Sequence, residues 1–265
     1  MPESPIRSLE LTLRSIRFAY AEGTWAMDVP SLSLGGDSLC AVVGPNGSGK
    51  STLLKIAVGL LPPQEGRVIW NGVPVGGISR RLLARSLGFL PQESAPLFDY
   101  TVEQVAALGR HAYGAGLEAT APEDRAAVDC ALDAVELTAL RRRRLSHLSG
   151  GERRRAWIAS ALAQEPSLLL LDEPTLALDL HQAASVMQVL SARSASKTRM
   201  VVVLHDLNLA ALFCPRVILM QNGRIEADDV PSRIFTRERL KAVYGSGVEV
   251  FLHPRTQRPV VQPAI

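Results

Sequence analysis

The chain has 265 residues, of which 47% are hydrophobic and 21% charged, an ordinary globular balance with enough length to bury a full core. Its net charge of +3 is too small to argue for a nucleic-acid partner. Three scattered cysteines (Cys40, Cys130, Cys214) make neither a metal spacing nor an even disulfide framework, so reduced thiols are expected.

The opening Met-Pro-Glu-Ser-Pro lacks a basic flank and an apolar core, so no signal peptide is expected. No apolar run is long enough to cross a bilayer, so any membrane-spanning part must come from other chains. Leu39 to Val43 is apolar on both faces and predicts a buried, parallel strand. Residues 51–61 have helical character and stop at Pro62-Pro63. Two Asn-Gly pairs, Asn71-Gly72 between 67–70 and 73–75 and Asn222-Gly223 between 217–221 and 224–227, predict hairpins, because the tight turn needs positive φ.

The middle of the chain changes character. Thr101 with Gln104, Thr120 with Glu123, and Ser149 with Glu152 fit the capping box that opens a helix. Ala127, Val128, Ala131, Leu132 and Val135 form a helical stripe between the last two boxes. After this stretch, 168–171 and 200–204 are again buried-strand candidates, and the tail from Pro231 carries one helix near 236–244 and a short extended segment. The expected architecture is α/β. A core with a β-rich N-terminal part spans about 1–90 and 165–230, a helical insertion about 91–164, and a tail 231–265.

Three local patterns carry chemistry. Gly44-Pro45-Asn46-Gly47-Ser48-Gly49-Lys50-Ser51-Thr52 follows a strand and opens a helix. Its glycines let backbone N–H groups approach phosphate oxygens, the helix start favours anions, Lys50 reaches the β- and γ-phosphates, and the Ser51 hydroxyl suits Mg²⁺. Asp172-Glu173 closes the strand at 168–171. Beside a phosphate loop, Asp172 is placed to hold Mg²⁺ and Glu173 to orient or deprotonate an attacking water. Finally, Ser149-Gly150-Gly151 puts glycines at a capped helix start, a second anion-binding arrangement. Arg141 to Arg144 reads as a solvated basic turn, and His111, His147, His181 and His253 as ordinary residues.

The ordered set GPNGSGKST, Leu90-Pro91-Gln92, Leu148-Ser149-Gly150-Gly151-Glu152, LLLLDEPT, Ala177-Leu178-Asp179 and His205 resembles the ATP-binding cassette (ABC) ATPases, over about 20–259. The resemblance implies ATP and Mg²⁺ as cofactors. Tyr20 would stack on adenine, Gln92 would touch Mg²⁺ or water and couple ATP to membrane subunits, and His205 would contact the γ-phosphate. It also implies a head-to-tail dimer with a second copy, in which Ser149, Gly150, Gly151 and Asp179 act in trans on the other subunit's ATP. Leu176 departs from the pattern, since serine is frequent there.

Residues 102–110 and 205–211, with Val230-Pro231, Thr236, Leu240, Val243-Tyr244-Gly245, His253-Pro254 and Arg258-Pro259, are similar to the importer ATPases for iron–siderophore, haem and vitamin B12 complexes. That likeness implies transmembrane permease subunits, a substrate-binding protein acting indirectly, and a peripheral place on the cytoplasmic face of the inner membrane. The alternatives are an oxyanion importer, an exporter, or a non-transport ABC ATPase such as one for iron–sulfur assembly.

Overall fold

The computed structural model describes residues 10–20, 26–92, 98–119, 121–196 and 198–264. The N-terminal Met-Pro-Glu-Ser-Pro and Thr120, on which two sequence expectations rest, lie outside the described residues.

The chain opens with β1 (Leu11–Ala19) and β2 (Ala26–Leu34), then β3 (Leu39–Val43), α1 (Lys50–Ala57) and the hairpin β4 (Glu65–Trp70) and β5 (Val73–Pro74). Next come α2 (Arg80–Ser86), β6 (Leu87–Leu90), α3 (Val102–Leu108), α4 (Pro122–Ala134) and α5 (Gly150–Ala163). The second half runs β7 (Leu168–Asp172), α6 (Leu180–Ser194), β8 (Arg199–Val203), α7 (Leu207–Phe213), β9 (Arg216–Gln221) and β10 (Arg224–Asp229). The tail supplies α8 (Pro231–Ile234), α9 (Arg237–Tyr244), β11 (Val248–Leu252) and β12 (Pro259–Pro263).

The central sheet has the order β10-β9-β3-β8-β7-β6, and all its pairs except β10–β9 are parallel. Its apolar strands are buried on both sides, and alternate residues serve different cores. Leu39, Ala41 and Val43 join Leu169, Leu171, Met200 and Val202 in the core shared with α3 to α7. Cys40, Val42, Leu168, Leu170, Val201 and Val203 face α1 and the antiparallel sheet β2-β1-β4-β5. This two-sided burial explains why β3, β7 and β8 read as continuous apolar runs rather than alternating ones.

Both Asn-Gly hairpins form, with φ of 48° at Asn71 and 47° at Asn222. The capping boxes at Thr101 and Ser149 are complete. The middle box, which needs Thr120, lies outside the described residues; α4 has Ala121 at its N-cap and Pro122 in its first turn, without a side-chain cap. Proline at that position is already shaped for a helix start. Helix α1 ends before the expected Leu61. Gly59 takes φ 72°, its N–H bonds Ile56 O, and Leu60 N–H bonds Lys55 O, the paired closure that stops a helix four residues before Pro63.

Three strands escaped the sequence reading: β1, β2 and β6. In β1 the alternation slips at Ser15, which has φ 52° where the β1–β4 register shifts. A Cβ on Gly66 would lie 2.2 Å from Ser15 O, so this bulge requires glycine opposite it. β6 has only four residues, one of them glycine. The tail's extended segment is a two-stranded antiparallel hairpin, β11 with β12. The arginine turn is more structured than a solvated loop. Arg141 bridges Glu103 on α3 and Asp129 on α4, and its carbonyl accepts from Glu103 N–H.

Candidate active site

Four neighbouring parallel strands of the central sheet, β3, β8, β7 and β6, deliver the expected site residues from their carboxyl ends. β3 runs into the loop 44–49 and Lys50, β8 into His205, β7 into Asp172 and Glu173, and β6 into Gln92. Open parallel sheets bind ligands at these ends, because there the loops and helix starts converge. An open cleft of about 930 Å³ lies over them, lined by Asn46, Lys50, Ser51, Gln92, Glu173 and His205 among others.

The loop is shaped by its own backbone. Gly44 has φ 152°, and a Cβ there would lie 2.1 Å from Met220 O on β9. Gly49 takes the left-handed conformation at the N-cap of α1, and no side chain caps that helix. Lys50 is buried, and its ammonium donates to Gly44 O at 2.8 Å and Pro45 O at 2.9 Å. Burial pulls its pKa down, opposed by the Glu173 and Asp172 carboxylates. The Ser48 hydroxyl is buried with no hydrogen-bond partner. A loop with an uncapped helix start, an orphaned hydroxyl and a lysine resting on carbonyls fits a phosphate chain as its missing acceptor.

Ser51 Oγ donates to Asp172 Oδ1 at 3.0 Å, which puts two hard oxygens side by side. Magnesium takes one or two protein oxygens together with substrate phosphates, so this donor set fits it. Asp172 is 1% exposed, and burial first, then the neighbouring Glu173 charge, raises its pKa, while the Ser51 hydrogen bond lowers it. Glu173, also buried, is gripped from two sides: Gln92 Nε2 donates to Oε2 at 2.9 Å, and His205 Nε2 lies 2.5 Å from Oε1. Gln92 is therefore turned toward Glu173 and not toward the Ser51–Asp172 pair. Glu173 has φ 51°, a left-handed backbone that costs on the order of 1 kcal/mol for a non-glycine residue.

Tyr20 lines the cleft and is half-exposed, its hydroxyl 3.1 Å from Thr52 Oγ1 and its ring edge-on to Phe18 at 4.9 Å. Ser149, Gly150, Gly151 and Asp179 do not line it. Ser149 Oγ accepts from Glu152 N–H while the Glu152 carboxylate accepts from Ser149 N–H. Asp179 caps α6 by accepting from Gln182 N–H at 2.8 Å, and Gln182 in turn packs against Gly151 so closely that a Cβ there would meet its Oε1 at 2.3 Å. Within one subunit the two glycine-rich helix starts thus serve separate places. Leu176 and Leu180 on the intervening segment are exposed.

Sequence reasoning missed two contributors. Arg154 on α5 is buried and donates to the carbonyls of Pro91, Gln92, Asp172, Glu173 and Pro174. Its only sequence signal is a place in Arg153–Arg155, which reads as a polar helix face. Burial pushes the phenol pKa of Tyr244 in the tail up to about 12, opposed by the backbone of Gly44.

The profile of the ABC transporter family matches residues 27–176. The chain is 42% identical over 241 residues to the hemin import ATP-binding protein HmuV of Streptomyces coelicolor, covering 91% of this chain and 85% of that one. It is 34% identical over 259 residues to the ferric enterobactin transport ATP-binding protein FepC of Escherichia coli, covering 97% and 93%. Among solved structures it superposes on CbiO1 of Clostridium perfringens, part of the CbiONQ ABC transporter complex, with a TM-score of 0.74 and 28% identity over 89% of this chain and 94% of that one.

Proposed function

The chain belongs to the ABC transporter family and is an ATPase coupled to membrane transport, and on that footing we propose that it powers an importer for iron–siderophore, haem or cobalamin complexes. The observation that carries the ATPase part is the convergence of Lys50, Ser51, Glu173, Gln92 and His205 on one cleft from four adjacent strand ends, with Asp172 hydrogen-bonded to Ser51. The import part rests on the two import and transport ATP-binding proteins, which share most of their length with this chain.

In the proposed mechanism Tyr20 stacks on adenine and the loop 44–49 wraps the phosphates. Lys50 exchanges its two loop carbonyls for β- and γ-phosphate oxygens, a stronger charge-assisted pairing. Ser51 and Asp172 would hold Mg²⁺, joined by Gln92 once it turns from Glu173, and the ion would supply charge neutralisation on the phosphates. Glu173 orients and deprotonates the attacking water, while His205 steadies Glu173 and the γ-phosphate.

Two copies pair head to tail, so that Ser149, Gly150, Gly151 and Asp179 of each complete the ATP site of the other. The γ-phosphate favours the closed pair because only ATP offers the signature glycines an anion. Residues 91–164 act as a subdomain that relays this closure.

No helix of the described residues is long and apolar enough to cross a membrane. The spanning part is assigned to permease subunits, with this chain peripheral on the cytoplasmic face and a substrate-binding protein acting through the permease. A second cleft of about 940 Å³, lined by Arg81, Phe89, Pro91 and Trp157, borders Gln92 through Pro91 and is the proposed seat of a cytoplasmic permease segment. Co-purification tests this reading: a many-helix permease should be recovered with the chain and lost with Arg81→Glu while ATP binding persists. Recovery of a soluble scaffold protein in its place would refute the import assignment.

A further inference from the structure

Helix α5 carries one buried cation that the mechanism above leaves unused. Arg154 lies five residues after the N-cap Ser149, about 7 Å along the helix axis. A guanidinium has five N–H bonds, and here all five end on backbone carbonyls. Nε donates to Pro174 O at 3.3 Å, Nη1 to Pro91 O at 3.1 Å and Gln92 O at 3.0 Å, and Nη2 to Asp172 O at 2.8 Å and Glu173 O at 3.0 Å.

The placement of those acceptors is informative. The β6–β7 ladder runs from Leu87 opposite Leu168 to Leu90 opposite Leu171 and then ends. Past that point the two strands become the loops bearing Gln92 and Glu173, and the Arg154 fork spans them where the ladder stops. One of its acceptors is the carbonyl of Glu173, the residue held in a left-handed backbone. Lysine could not substitute, since it offers three donors on a point charge and not a planar fork.

We propose that Arg154 is the positioning residue that links the signature end of α5 to the Gln92 and Glu173 loops of the same subunit. The proposal rests on the ATPase and head-to-tail dimer reading. When ATP held by one copy draws on Ser149 to Gly151 of the other, α5 shifts as a rigid rod and Arg154 carries both loops with it. Each copy thereby senses the partner site's γ-phosphate at one end of α5 and sets its own attacking geometry five residues later. The consequence is that hydrolysis at one site depends on ATP at the other.

The test uses the full chain assembled with its permease in lipid vesicles, comparing wild type with Arg154→Lys, Arg154→Gln and Arg154→Met. Turnover is expected to fall about 100-fold, the scale of a misplaced reacting group, with ATP affinity within about twofold of wild type. The Hill coefficient for ATP should drop toward one, and Arg154→Lys should rescue no better than Arg154→Gln, because the fork and not the charge is lost. If Arg154→Met fails to fold, the Gln variant carries the test.

A variant that keeps both turnover and cooperativity overturns the proposal, as does a wild type without ATP cooperativity. Joint loss of affinity, turnover and melting temperature also overturns it, by reducing Arg154 to a structural staple. Failure of the underlying ATPase reading looks different: wild type itself would not hydrolyse ATP, or Glu173→Gln would hydrolyse it normally.

Discussion

Two helices of this chain begin beside glycine and serine, α1 at the phosphate loop and α5 at the signature, and they use those residues in opposite ways. At α1 the demand for glycine is internal: a Cβ on Gly44 would strike the Met220 carbonyl at 2.1 Å, and Gly49 adopts a left-handed backbone. At α5 a Cβ on Gly150 would meet nothing within 4 Å. The N-terminus of α1 has no side-chain cap, whereas that of α5 has a complete box that uses the amides of Ser149 and Glu152 but not those of Gly150 and Gly151. One end is thus a ligand site shaped by its own chain. At the other, no neighbouring atom of the same chain demands Gly150, which supports the proposed composite site between two copies.

The largest expected effect removes chemistry without touching either half-site. Glu173→Gln should retain ATP while phosphate release falls about 10²- to 10⁴-fold, the usual contribution of a positioned general base. With turnover blocked, ATP should hold two copies together, visible as a dimer on gel filtration; rapid hydrolysis would remove Glu173 from its role.

The two half-sites separate next. Gly150→Ala should leave single-chain ATP affinity and melting temperature near wild type, because a Cβ there meets nothing within 4 Å in the same chain, yet lower turnover about 100-fold by displacing the partner's γ-phosphate. Lys50→Ala should do the reverse, weakening nucleotide binding about 10- to 100-fold in calorimetric titration through loss of a charge-assisted contact. Equal loss of single-chain affinity in both variants would erase the distinction.

The smallest effect is on pH. Burial holds the Asp172 pKa above its ordinary 3.8. The folded chain therefore takes up this proton more readily than the unfolded one. Its stabilising contribution is fully present below pH 3.8 and is lost as pH rises through the folded value. Urea unfolding across that window should show the slope in wild type and lose it in Asp172→Asn; an unchanged slope would assign the effect to another group.

The sequence by itself determined the local pieces. Apolar runs defined β3, β7 and β8, Asn-Gly defined the hairpins, spacing defined two capping boxes, and motif order defined the family. Each depends on residues a few positions apart, whose backbone geometry and hydrogen bonding are set by side-chain type. Tertiary structure decided the rest. The strand order that brings Gln92 within 2.9 Å of Glu173, 81 residues away, is a property of sheet pairing and not of either motif. Arg154 was illegible for a related reason: its five acceptors are backbone carbonyls, which every residue possesses, so no side-chain pattern marks them. Side-chain identity determines what a segment can do locally, while the convergence of distant backbones determines which segments act together.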